Sequence, residues 1–150
     1  MGSYLNPGSK GFQESLNSEI YVDKTGLIEK TNAVLDTRQK FLCVSRPRRF
    51  GKSMAADMLA AYYERGEDAD LLFRSLKISK AESYRAHLNQ YDVIKVNIQE
   101  FLSMTGSMDE MLSMLKKYLV FDLMEHFDDV RFRDESNLIQ VMKDIYAKTK

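Results

Sequence analysis

Apolar and polar positions change their period several times along the chain, and each change marks an element. Residues 1–19 are polar and turn-rich, with Asn6-Pro7-Gly8 as a turn signal and no clear apolar period, which predicts an extended leader or surface arm. Ile20-Tyr21-Val22-Asp23-Lys24-Thr25 reads as a short extended piece. Asp23 or Thr25 then stands where a cap is needed for a helix carrying Leu27, Ile28, Ala33, Val34 and Leu35. Lys40-Phe41-Leu42-Cys43-Val44-Ser45 is a short, continuous apolar run with aromatic and β-branched members, the pattern of a buried strand. A turn over residues 46–50 leads into a helix starting near Gly51 or Lys52. Met54, Met58, Leu59, Ala61 and Tyr62 supply its apolar side, and Gly66 is placed to end it.

The second half continues the alternation. Residues 67–79 are mixed, anchored by Leu71, Leu72, Phe73, Leu76 and Ile78, and residues 81–89 predict a short helix. Tyr91-Asp92-Val93-Ile94-Lys95-Val96-Asn97-Ile98-Gln99 mixes alternation with a run, as a strand covered on both faces does. A long helix is expected over residues 107–127, with Met108, Met111, Leu112, Leu115 and Leu119 on its apolar face. A last one is expected over residues 137–148, started by Ser136. Strand, turn, helix, strand, helix predicts an α/β fold: a parallel sheet of at least two neighbouring strands, 41–45 and 93–98, flanked by crossover helices. No repeat, low-complexity tract or internal linker interrupts it.

Composition narrows the function classes. With 150 residues, 44% of them hydrophobic, the chain is long enough to bury a core. Its 22 basic and 22 acidic residues cancel, so contact with nucleic acid would need a local patch. There is no apolar run approaching the roughly 18 residues of a membrane span, and the N-terminus lacks the basic start and apolar stretch of a secretory signal. The cytoplasm is the default expectation. Cys43, the single cysteine, reads as a small buried hydrophobe within its apolar run.

The chemistry-bearing segment is Arg46-Pro47-Arg48-Arg49-Phe50-Gly51-Lys52-Ser53. The Walker A pattern is G-x-x-x-x-G-K-[ST]; here its last three positions match and Arg46 replaces the first glycine. Gly51 lets the backbone come close to phosphate oxygens, Lys52 extends over the β- and γ-phosphates, and Ser53 offers its hydroxyl to Mg²⁺. The helix beginning here adds its N-terminal N–H groups and dipole. The tripeptide alone would occur by accident in roughly one of ten chains this long; its place between an apolar run and an amphipathic helix is what gives it weight. Arg48 and Arg49 either add charge around the phosphates or form a solvated basic face, the commoner fate of a cluster with no partner in view. The candidate cofactor-binding set is Arg48, Arg49, Phe50, Gly51, Lys52, Ser53 and Met54, with Lys52 as the catalytic cation and Ser53 as the metal ligand.

The run from Cys43 to Met54 closely resembles the bacterial AAA-ATPase-like family. So do Tyr21-Val22-Asp23-Lys24-Thr25 upstream and Leu88-Asn89-Gln90-Tyr91-Asp92-Val93-Ile94 downstream, and the likeness runs from Tyr4-Leu5-Asn6-Pro7 onward. An arginine in place of the first Walker glycine is usual in that family. The resemblance implies a P-loop ATPase fold, ATP and Mg²⁺ as cofactors, and often a following nuclease-like domain of the PD-(D/E)xK type through which a parent protein would meet nucleic acid. It also implies a Walker B strand after a helix resembling Val141-Met142-Lys143-Asp144-Ile145-Tyr146, about where the chain stops at Lys150. Residues 1–150 are thus expected to be the N-terminal part of an ATPase domain, with residues 20–150 as its core. The domain should bind Mg-ATP but hydrolyse it only in a longer protein, and it should either self-associate through a bare sheet edge beside residues 41–45 or bury that edge under its own arm at residues 1–20. The alternative is a non-hydrolysing module that holds phosphate or nucleic acid on the basic turn.

Four further candidates carry less. Leu119-Val120-Phe121-Asp122 imitates a Walker B motif, but its flanking period is helical. Asp122 and His126 sit one turn apart and are expected to share a hydrogen bond. His87 has no cysteine or histidine cluster near it. Asp23 and Thr25 either cap the following helix or touch the nucleotide, as leading segments do in many P-loop ATPases.

Overall fold

The computed structural model describes residues 2–149, and its backbone hydrogen bonds close helices. In chain order these are α1 (Lys10–Leu16), α2 (Gly26–Val34), α3 (Lys52–Tyr63), α4 (Asp70–Phe73), a 3-10 turn (Lys77–Lys80), α5 (Tyr84–His87), α6 (Ile98–Met104), α7 (Met108–His126) and α8 (Leu138–Thr149). Among the described residues, β pairing is limited to two isolated bridges, antiparallel Leu5–Ile94 and parallel Glu64–Tyr91.

This overturns the parallel sheet and both of its expected strands. A strand needs a neighbour to take its N–H and C=O groups, and among the described residues no strand pairs with residues 41–45. They run irregular and open to solvent, with Phe41 86% exposed. Cys43 is exposed as well, against its reading as a buried hydrophobe. The second apolar run is divided at Asn97, whose side chain accepts the Gln99 N–H and starts α6 at Ile98. A cap inside the run thus wins over its apolar continuity. The bare edge expected beside residues 41–45 has no sheet to belong to.

The described residues form two compact units. The unit Asn6–Val93 is built on aromatic helix faces. Phe12 of α1 stacks on Phe73 of α4 at 4.7 Å between centroids, and Tyr62 of α3 meets Phe73 edge-on at 5.4 Å. Ile28, Met58, Ala61 and Ile78 close the same core. Residues 10–16, read as part of an extended arm, are therefore a helix whose Phe12 is 1% exposed. The core also absorbs a polar network. The Tyr62 hydroxyl donates to the Tyr84 carbonyl at 2.7 Å, and the Tyr63 hydroxyl to Asn32 Oδ1 at 2.6 Å. Burial pushes the Tyr63 hydroxyl up to about 12. Leu71, expected as an anchor, faces solvent.

In the other unit, Met1–Leu5 with Ile94–Lys150, α7 packs on α6 and α8. Ser107 caps α7 by accepting the Glu110 N–H, while the Glu110 carboxylate accepts from Gly106, a near relative of the capping box. The buried face of α7 lies at Met111, Leu119, Val120 and Leu123; Met108 and Leu112 are exposed. Leu5, Val141 and Ile145 complete this core.

Candidate nucleotide-binding site

All residues of the turn lie in the unit Asn6–Val93. Gly51 is the N-cap of α3 and takes φ 77°, ψ 28°, the left-handed region open to glycine at little cost. It has no side chain to offer, and α3 shows no side-chain cap. The first N–H groups of this 12-residue helix are therefore left for a ligand or solvent, at the positive end of its dipole. Arg49 also has positive φ, at 67°, where a side-chain-bearing residue is strained and where binding turns concentrate such strain.

Two lysines close over the turn. Lys52 Nζ donates to the Arg46 carbonyl at 2.5 Å, and Lys24 Nζ donates to the Phe50 carbonyl at 3.2 Å. Beneath them opens a cavity of about 570 Å³ whose charged lining is Lys24, Lys30, Arg46 and Lys52, with no carboxylate among its lining residues. Every charged side chain on this space is thus a cation, which makes its potential positive. A second cavity, of about 290 Å³, has mainly apolar walls that include Phe12, Tyr21, Val22, Phe50, Met54 and Met58. Lys24, Phe50, Gly51 and Ala55 line both.

The expected site residues therefore divide. Lys52 lies in the cationic cavity, Gly51 and Phe50 on both, and Arg49 and Met54 on the apolar one. Arg48 and Ser53 line neither; both are exposed, Ser53 in the first turn of α3. Lys24 was missed as a member of the site.

Asp23 and Thr25 have structural work. Asp23 accepts the Thr25 N–H and hydroxyl through Oδ1 and the Lys77 N–H through Oδ2, at 2.9, 2.6 and 2.8 Å. Thr25 Oγ1 accepts the Ile78 N–H at 3.1 Å. Burial raises the Asp23 carboxyl, but these hydrogen bonds with the Lys77 charge outweigh it and leave it below the usual range. Asp122 spends its oxygens on the backbone N–H groups of Ser3, Tyr4 and Leu5, while the His126 ring packs edge-on against Phe127. His87 pairs with the Tyr91 hydroxyl. Leu119-Val120-Phe121-Asp122 is helical, within α7.

Gly51 sets a sharp condition. A Cβ there would stand 3.1 Å from Lys24 Nζ on a left-handed backbone. Gly51→Ala is expected to cost about 1–2 kcal/mol by urea denaturation followed by circular dichroism. Unchanged stability would mean that the turn relaxes to another conformation.

The family of predicted AAA-ATPases (AAA-ATPase-like) matches residues 8–150, and the chain belongs to it. No curated protein and no solved structure matches the chain. Membership makes this a nucleotide-binding, ATP-directed module. No helix among the described residues is long and apolar enough to cross a membrane.

Proposed function

We propose that the turn over residues 46–53 binds Mg²⁺-ATP. The observation that carries this reading is the cavity lined by Lys24, Lys30, Arg46 and Lys52 at the uncapped start of α3. Triphosphate is the ligand whose charge density suits four cations and a row of helix N–H groups. Gly51 keeps the backbone accessible. Lys52 leaves the Arg46 carbonyl for the β- and γ-phosphates, and Arg48 and Arg49 supply charge from the exposed side of the turn. Phe50 and Met54 offer an apolar wall to the base. Mg²⁺ would neutralise the phosphates. The Ser53 hydroxyl, in the first turn of α3 next to Lys52, would supply one oxygen ligand, the others coming from phosphate and water, as this ion prefers. Turnover needs an acid to orient the attacking water, and the lining supplies none; we assign these residues binding.

Calorimetry with Mg²⁺-ATP on the intact chain and on Lys52→Ala tests the reading. Removing a charge-assisted contact of this kind should weaken binding by about 30- to 100-fold. Equal affinity in the two proteins would sink the proposal. So would binding to an oligonucleotide that needs neither the base nor Mg²⁺, which is the signature of a phosphate-backbone module.

A further inference from the structure

We propose that Lys24 is a second phosphate-binding cation of this site, held with Lys52 on the carbonyls of the turn until an oligophosphate displaces it. This rests on the anion-binding reading of the cavity and extends it to a residue that the Gly51-Lys52-Ser53 motif does not contain.

The neighbours of Lys24 show why it faces the turn. Asp23 is tied to Thr25 and to the Lys77 N–H, and Thr25 is fully buried and accepts the Ile78 N–H. The Leu27 N–H donates to the Lys24 carbonyl and begins α2. The backbone is thus clamped on both sides of Lys24, and its side chain is exposed toward residues 50 and 51. Its Nζ lies 3.1 Å from the place a Gly51 Cβ would fill, over the start of α3 where the helix N–H groups are unshared. Of the four residues that line both cavities, Lys24 alone carries charge. It is therefore the cation nearest the junction between an apolar cavity and an anionic ligand's cavity.

The partners that hold the two lysines are weak ones for a cation. Lys24 rests on the Phe50 carbonyl and Lys52 on the Arg46 carbonyl, both neutral oxygens of one exposed loop. Phosphate oxygens carry full charge and make the stronger hydrogen bond. Exchange of carbonyl for phosphate also relieves the repulsion among Lys24, Lys30, Arg46 and Lys52. Both ammonium groups can reach a ligand by side-chain rotation alone, with no movement of the clamped backbone.

Three probes test this by calorimetry on the intact chain: sodium tripolyphosphate, Mg²⁺-ATP and AMP. The variants are Lys24→Gln, which keeps a donor for the Phe50 carbonyl without the charge, and Lys24→Ala, with Lys52→Ala as reference. Both Lys24 variants should weaken tripolyphosphate and ATP by about tenfold or more, and AMP by less than about threefold, because charge on the chain of phosphates is what they lose. Thermal unfolding by circular dichroism should stay near wild type. Full affinity in Lys24→Gln would show that Lys24 only braces the loop and would overturn the proposal, as would no tripolyphosphate binding by the wild type. Tripolyphosphate binding that depends on Lys24, with no preference for ATP over it, would leave Lys24 standing and remove the nucleotide reading.

Discussion

Phe73→Ala is expected to cost the unit Asn6–Val93 about 3–5 kcal/mol, the range for emptying a buried aromatic site. Phe73 is 0% exposed, stacked on Phe12 at one face and met edge-on by Tyr62. It sits on α4, a helix of four residues, too short to stand without the packing that this one ring supplies. The ring joins α1, α3 and α4, so its loss leaves a cavity that no single helix can collapse to fill. Natural domains are stable by roughly 5–15 kcal/mol, and a loss of this size would consume much of that. The chain has no tryptophan, so urea denaturation should be followed by far-ultraviolet circular dichroism. A loss under about 1 kcal/mol would mean that the ring is replaceable and that α1 and α3 are joined by other contacts. Phe73→Leu, which keeps most of the volume, should recover more than half of the loss.

The helices were legible where local signals agree. Residues 52–63 carry a helical period after a glycine, residues 108–126 carry another, and both form helices, α3 and α7, although Met54, Met108 and Leu112 of the expected apolar faces are exposed. The sheet was misread because a short apolar run has no period of its own, and only its partners decide what it becomes. Residues 41–45 find no strand, and the run through Ile98 is broken by a cap that also fits the sequence. Phe12 was hidden for a related reason: seven polar-looking residues become a helix only because Phe73 and Tyr21 receive its ring.

The candidate site divides along the same line. Gly51-Lys52-Ser53 is contiguous, and its chemistry can be read from residue types alone. Lys24 joins the turn through bonds that span the chain, Lys77 to Asp23 across 54 positions and Ile78 to Thr25 across 53. No local pattern announces them. The cations Lys24 and Lys30, far from the motif in sequence, line the same cavity as Arg46 and Lys52.

Asp122→Ala is expected to cost the other unit about 2–4 kcal/mol by leaving three N–H groups without their acceptor. Asp122 Oδ1 accepts from Ser3 at 2.8 Å, and Oδ2 accepts from Tyr4 at 3.0 Å and Leu5 at 2.8 Å. One carboxylate on α7 thus holds the segment that places Leu5, 2% exposed, among Val120, Leu123, Val141 and Ile145. The approach is so close that a Cβ on Gly2 would overlap Asp122 Oδ2. Water can replace the acceptor for Ser3, which is exposed, but hardly for Leu5, and that sets the range. Burial raises the Asp122 carboxyl, but the bonds from Leu5, Tyr4 and Ser3, with the His126 charge, outweigh it and leave it below its ordinary 3.8. The sign follows from that direction. The unfolded chain binds the proton first, so the contribution is complete above the ordinary value and fades as pH falls through 3.8 to the lower folded value. Asp122→Asn should cost less than alanine, since its one carbonyl oxygen can still serve Tyr4 and Leu5 while its amide faces Ser3. It should also remove this share of the acid sensitivity. Urea titrations at neutral pH and at a series of acidic values, for wild type and both variants, measure the two effects together. If wild type and Asp122→Asn lose stability in parallel on acidification, the carboxylate is not what holds the N-terminal segment, and the loss belongs to other acids.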